Sequence, residues 1–127
     1  MKYLGIDYGR KKIGLAVSEG MIAEPLKVVR FEKKEVALAK IEQIVKTESI
    51  EKVIIGVSEG KMGEETREFT KLLKEKISAE VFFQDETLST QSAQELSLTA
   101  NIKRRKRREM EDAYSATIIL QAYIDRA

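Results

Sequence analysis

The chain has 127 residues and a mass of 14.4 kDa, enough for one domain around one continuous core and too little for a two-domain enzyme. Apolar residues make up 43% and charged residues 35%, a balance that suits a soluble globular protein and excludes a disordered one. There is no Cys and no His, so disulfides, thiol nucleophiles, zinc ribbons and imidazole bases are excluded, and Ser-His-Asp and Cys-His catalysis with them. Hydrolysis would then fall to carboxylates holding a hard cation such as Mg²⁺ or Mn²⁺. Asp7 comes too early for an apolar signal region, and the longest apolar-leaning stretch, 113–124, falls short of the ~20 residues of a membrane span. The expectation is a cytoplasmic protein with no membrane partner.

Residues 2–8 (KYLGIDY) and 13–18 (IGLAVS) are short and β-rich, and the turn-like Gly9-Arg10-Lys11-Lys12 between them predicts a hairpin. A third strand is expected at 26–31 after Pro25, then a helix over 34–48 with Val36, Leu38, Ala39, Ile41, Ile44 and Val45 on its apolar face. The continuous apolar run 52–57 (KVIIGV) reads as a central strand covered on both faces. Gly60 to Gly63 should break the chain before a helix at 64–77 that turns Phe69, Leu72, Leu73 and Ile77 inward. A short buried strand at 81–83 leads to Gln84-Asp85-Glu86. A helix over 89–98 and a last helix over 109–125 complete the chain. The order indicates one mixed α/β domain spanning 1–127, an antiparallel meander leading into parallel βαβ units.

Three groups of acids stand where chemistry could occur. Asp7 ends the first strand between Ile6 and Tyr8-Gly9, where a carboxylate costs free energy unless it is solvated or paired; the ordinary alternative is a turn-forming Asp. Asp85 and Glu86 close a later strand, and strand ends of open α/β sheets are where sites form, although acids are also favoured just before a helix. Asp112 steps by helical turns to Ala116, Ile119 and Tyr123, so it extends the buried stripe of the last helix. Glu111 and Asp125 read as solvated acids. Converging carboxylates repel one another, and metal ions are the usual remedy.

Residues 4–18 (LGIDYGRKKIGLAVS) resemble the opening motif of the YqgF/RuvX family, described both as Holliday-junction resolvases and as pre-16S rRNA nucleases. Residues 85–90 (DETLST) are similar to that family's DERLST-type segment. Asp112-Ala-x-x-Ala116 through Ile118-Ile-Leu-Gln121 resembles its C-terminal helix. The resemblance implies an RNase H-like fold, a mixed five-stranded sheet flanked by helices, and a metal-dependent phosphodiesterase acting on structured nucleic acid. It carries the acidic positions to Asp7, Asp85-Glu86 and Asp112, with Glu86 favoured over Asp85 as the ligand of Mg²⁺ or Mn²⁺. The sequence departs from the family pattern at Val57-Ser58, at Met62-Gly63 and at Thr87, where the family has an Arg. Processing of the 5′ end of precursor 16S rRNA is the leading expectation, with Holliday-junction resolution or a non-catalytic nucleic-acid-binding module as alternatives. Residues 7–14 also resemble the phosphate-binding hairpin of actin-like ATPases and sugar kinases, but those need two lobes and this length supplies one. A symmetric cut of two strands would require two active sites, hence a homodimer.

The net charge of +2 conceals an uneven distribution. Without Lys103, Arg104, Arg105, Lys106, Arg107 and Arg108 the remainder holds 17 basic and 21 acidic residues, a net of −4. Six consecutive cations are expected to form a mobile arm for a polyanion, and Arg10, Lys11 and Lys12 beside Asp7 are either a solvated turn or phosphate contacts. With no Trp, and with Phe69, Phe82 and Phe83 expected inside, Tyr8 is the one aromatic left for base stacking. Replacing the four Arg of 103–108 by Gln should flatten the dependence of log K on log salt by about three to four units on duplex, or somewhat less on single strands. Titrations at several salt concentrations measure this, and an unchanged slope would remove the run from the interface.

Overall fold

A run of apolar residues with no alternation, Val53-Ile54-Ile55, needs cover above and below, and the computed structural model provides it. The structure describes residues 1–85 and 104–126, with the backbone alone for 104–109. The elements in chain order are β1 (Lys2–Tyr8), β2 (Lys12–Glu19), β3 (Ala23–Arg30), α1 (Lys34–Thr47), β4 (Lys52–Val57), α2 (Gly60–Lys74), β5 (Glu80–Asp85) and α3 (Arg104–Arg126). The five strands lie in the order β3-β2-β1-β4-β5. β1, β2 and β3 form an antiparallel meander, while β4 pairs parallel with both β1 and β5.

The period of two divides the strand residues between two cores. Leu4, Ile6, Ile13, Leu15, Val53 and Ile55 join residues of α1 and α2 in the larger one. Ala16 and Ile54 face Ala116, Ile119, Leu120 and Ile124 of α3 in the smaller. α3 can lie this close because β1 and β2 present glycines to it. A methyl group added to Gly5 would stand 2.8 Å from the Ala116 carbonyl oxygen and the Leu120 Cβ, and one added to Gly14 would overlap the Asp112 carbonyl. Gln121 fixes the far end of the same helix, accepting a bond from Ala23 N–H (2.8 Å) and donating to the Met21 carbonyl (2.9 Å). The helix is thereby tied to the β2–β3 turn.

The β1–β2 hairpin, the helix at 34–47 and the strand at 52–57 match the sequence expectation closely. Other boundaries differ for physical reasons. β3 starts at Ala23, ahead of Pro25, because it is an edge strand with a register shift opposite Leu15 and Ala16, where a missing N–H is tolerated. α2 begins at Gly60, not 64. Gly60 adopts a φ of 79° that suits glycine, and Gly63 leaves room for the Ser58 carbonyl, so the glycines shape the helix start instead of breaking the chain. Val36, Leu72 and Phe83, expected inside, are exposed, while Ala37 and Thr70 are buried in the helices. Thr66 and Thr70 satisfy their hydroxyls on carbonyls one turn earlier, at 2.8 and 2.7 Å.

The run expected to be a mobile arm is helical from Arg104 onward. Lys and Arg are good helix formers, and extending a helix already docked through Ala113–Ile124 needs no new nucleus. The helix expected at 89–98 lies outside the described residues.

Two stability outcomes follow from the backbone. Gly14→Ala forces α3 off the hairpin and should lower stability by about 1–3 kcal/mol or more, seen as an earlier urea midpoint. Ser49, just past the end of α1, is exposed with a φ of 55°, so Ser49→Gly should raise stability by roughly 0.5–1 kcal/mol in the same titration.

Candidate active site

Asp7 is the next-to-last residue of β1, half-buried, with Gly14 directly opposite on β2. Its parity in the strand matches that of Tyr3 and Gly5, which puts it on the face covered by α3. Asp112 comes to the same place from the helix, because its backbone rests on Gly14. The residue facing Asp7 across the hairpin is thus the residue on which Asp112 is seated. Asp112 is half-buried, and its Oδ2 receives the Lys12 ammonium at 3.0 Å. Two of the sequence-assigned acids and one of the turn cations therefore share one edge of the sheet.

Asp85 does not share that face. It pairs with Val57 at the end of β5, is exposed, and has the parity of Val81, which packs toward the α1–α2 core, whereas Phe82 packs toward α3. Among the described residues no group of three or more carboxylates is placed to hold a metal ion. Glu86 and Lys103 lie outside the described residues, and Arg104 to Arg108 are placed by their backbone at the start of α3.

Arg10 is engaged within the protein. Its guanidinium grips Glu65 of α2 through Nε at 3.1 Å to both carboxylate oxygens and through a terminal nitrogen at 2.8 Å to one of them. These hydrogen bonds hold the Glu65 carboxyl below its usual range and raise Arg10 further. Because the Glu65 pKa is lowered on folding, the tie is fully present above the ordinary glutamate range and is lost as pH falls below it. Solvent screening keeps the energetic contribution of so exposed a pair small; its effect is to fix the β1–β2 turn against α2. Lys11 stays exposed, and its carbonyl accepts the Phe31 N–H at 3.0 Å.

Tyr8, the expected stacking residue, is instead part of the core. Its ring lies 4.4 Å from that of Phe69 and 6.4 Å from that of Phe31, centroid to centroid. Burial, and then the charge of Glu65, push its phenol up. A tyrosine that ends a strand reads the same in sequence whether it packs inward or faces a ligand. Arg30 was not singled out in the sequence, yet it stands directly opposite Lys12 on β3. The only signal was its place at the end of the third strand, and the register shift in that strand hides the pairing.

The donors available at this edge, Asp7 and Asp112, are hard carboxylate oxygens of the kind Mg²⁺ and Mn²⁺ take. The cation beside Asp112 is the Lys12 ammonium. Within that chemistry the comparisons with known proteins are specific. A profile of the RuvX family, described as "Holliday junction resolvase", matches residues 1–126. A "Putative pre-16S rRNA nuclease" of Bacillus cereus (strain AH187) is 32% identical over 136 aligned positions, covering 99% of both chains. One of the same name from Desulforamulus reducens is 34% identical, covering 98% of this chain and 97% of the relative. Among solved structures, T. thermophilus RuvC in complex with Holliday junction substrate superimposes with a TM-score of 0.70 at 15% identity over 99% of this chain and 96% of that one, and so shares the fold. The chain belongs to the RuvX (YqgF) family, nucleases built on the RNase H-like fold.

Proposed function

We propose that this chain is a metal-dependent endonuclease that cuts structured nucleic acid, processing the 5′ end of precursor 16S rRNA. The observation that supports it most is the seating of Asp112 on Gly14, opposite Asp7, which brings two carboxylates from distant parts of the sequence to one sheet edge. The third ligand we assign to Glu86. Asp85 has the parity of the opposite face.

Asp7, Glu86 and Asp112 would hold Mg²⁺ or Mn²⁺, which supplies an activated water and stabilises the leaving oxygen in phosphodiester cleavage. The chain's own residues prepare the place. Asp7 and Asp112 provide negative charge at a half-buried edge, and the close packing of α3 on the hairpin fixes their separation. Lys12, at 3.0 Å from Asp112, balances that charge and is within reach of a phosphate brought to the same edge. The Arg10–Glu65 tie holds the turn that carries Lys11 and Lys12. Arg104 to Arg108 open α3, where the helix dipole is already positive, so a polyanion there would be doubly favoured.

The choice of RNA follows the names of the relatives at 32% and 34% identity. A second reading, Holliday-junction resolution, is favoured by the family description and by the junction DNA bound to a protein of the same fold. Action as a homodimer belongs to that second reading, since two strands would be cut symmetrically.

A cleavage assay comparing a precursor rRNA 5′ end with a four-way DNA junction decides between the substrates. Asp7→Asn should reduce cleavage to background while the circular dichroism spectrum and the affinity for the same substrate stay near wild type. Chelation by EDTA should stop the reaction, and Mg²⁺ or Mn²⁺ should restore it. Full activity of Asp7→Asn, purified free of other nucleases, would refute the assignment. Binding without any metal-dependent cleavage by the wild type would favour a non-catalytic module.

A further inference from the structure

The two ion pairs of the hairpin turn are built differently. Arg10 grips Glu65 with three hydrogen bonds from a planar fork, which fixes the geometry of that tie. Lys12 meets Asp112 by a single approach, Nζ to Oδ2 at 3.0 Å, and an ammonium on a flexible stem can turn away without breaking a fork. The Lys12 side chain is 43% exposed and that of Asp112 28%, so solvent screens the pair and holds it weakly. Lys12 also stands under repulsion. Arg30 is its direct partner on β3 and among the described residues forms no ion pair. Like charges opposite each other on antiparallel strands are destabilising, and Asp112 relieves only Lys12. By register Lys12 and Arg30 share the face of Gly14, which is the face of Asp7 and Asp112.

We infer that Lys12 is an exchangeable counterion: it neutralises Asp112 until a divalent cation takes that carboxylate, and then turns, with Arg30, to a phosphate of the bound strand. The inference rests on the metal-dependent nuclease reading above and adds to it a coupling between the two ligands. An ammonium and a hard divalent cation compete for the same carboxylate oxygens, and a doubly charged ion gains more from the Asp7–Asp112 edge than a single ammonium does. Once Asp112 is taken, Lys12 and Arg30 are neighbouring cations on one face of the sheet, and a backbone phosphate is the group that relieves both. Lys12 thereby makes the binding of metal and of nucleic acid cooperative, and by linkage each strengthens the other by the same factor.

The test follows Lys12 in the full-length protein. Lysines dimethylated with carbon-13 keep their charge, and the Lys12 methyl signal in the nuclear magnetic resonance spectrum is assigned by its loss in Lys12→Arg. Mg²⁺ should move that signal and leave the Lys27 signal in place, and a linear DNA duplex added afterwards should move the Lys12 signal again. Mn²⁺ affinity, read from the electron paramagnetic resonance of the free ion at constant ionic strength, should rise by about three- to ten-fold in Lys12→Gln. Lys12→Arg, which keeps the charge, should bind Mn²⁺ no more tightly than wild type. Lys27 pairs with Leu15 of the larger core, so Lys27→Gln removes an equal charge from the opposite face of β3 and should leave the affinity as in wild type. Asp112→Asn should weaken Mn²⁺ binding and make the Lys12 signal indifferent to Mg²⁺. A Lys12 signal that stays still in a protein that binds Mg²⁺ overturns the proposal, because the ion would then share Asp112 with the ammonium instead of replacing it. Equal Mn²⁺ affinity in wild type and Lys12→Gln overturns it as well, and so does a wild type that binds no Mn²⁺ or a duplex that leaves the released Lys12 unmoved. Since no readout is cleavage, a wild type in which Mg²⁺ displaces Lys12 but which cuts neither precursor rRNA nor a four-way junction would sink the endonuclease reading and leave the counterion exchange standing.

Discussion

The contact of α3 with the β1–β2 hairpin, made through Gly5 and Gly14, governs the rest of the structure. Bare backbone at these two positions lets a helix settle onto a sheet more closely than side chains would allow. That approach closes the smaller core around Ile54, Ile119 and Leu120, so β4 is covered on its second face. It also sets where Asp112 comes to rest. The same glycine positions both acids, because Gly14 is at once the seat of Asp112 and the cross-strand partner of Asp7. Gln121 complements this from the other end by bonding both a donor and an acceptor of the β2–β3 turn. The helix is fixed at two places along its length, so it can neither slide nor roll without breaking one of them.

Electrostatics adds a second layer to that placement. Two ion pairs flank the hairpin turn with different partners: Arg10 goes to Glu65 on α2, and Lys12 goes to Asp112 on α3. The turn is therefore held from both sides of the sheet. Beyond Lys12 stands Arg30, its direct cross-strand partner on β3, which among the described residues forms no ion pair. A chain whose remainder outside 103–108 is net negative thus sets Lys12 and Arg30 side by side next to the hairpin turn.

Much of this was legible in the sequence where one signal dominated. The hairpin was marked by its turn residues, and β4 by an apolar run that only double cover explains. The stripe through Asp112, Ala116 and Ile119 located the face of α3, and Ala116 and Ile119 are fully or nearly fully buried. The readings that failed were those in which two causes compete. Gly60 and Gly63 look like chain breakers, yet one supplies a φ that the helix start requires and the other makes room for a carbonyl. Tyr8 and Phe83 exchanged places, Tyr8 into the core and Phe83 to 41% exposure, because hydrophobicity alone does not say which edge of a sheet a helix covers. The charges of 103–108 argued against order, while the helix docked behind them argued for it. Pairings such as Lys12 with Arg30 depend on strand register, and a one-residue shift in β3 is invisible in composition or period.

Of the two adjacent acids, Asp85 is the last residue of β5, and the register of that strand fixes the face it takes. In an extended strand neighbouring side chains point to opposite sides, and the packing of β5 assigns the sides: Val81 toward the α1–α2 core, Phe82 toward α3. Asp85 falls with Val81, away from Asp7. The same alternation places Gln84 with Phe82, and the Gln84 side chain, buried, accepts a bond from Arg126 of α3 at 3.3 Å. The α3 face of β5 is thus occupied up to Gln84, the last position of that parity in the strand. At the C-terminal end of β5 the α3 face therefore carries Gln84 and not Asp85. Residue type alone leaves the side taken by Asp85 open; the register of β5 decides it.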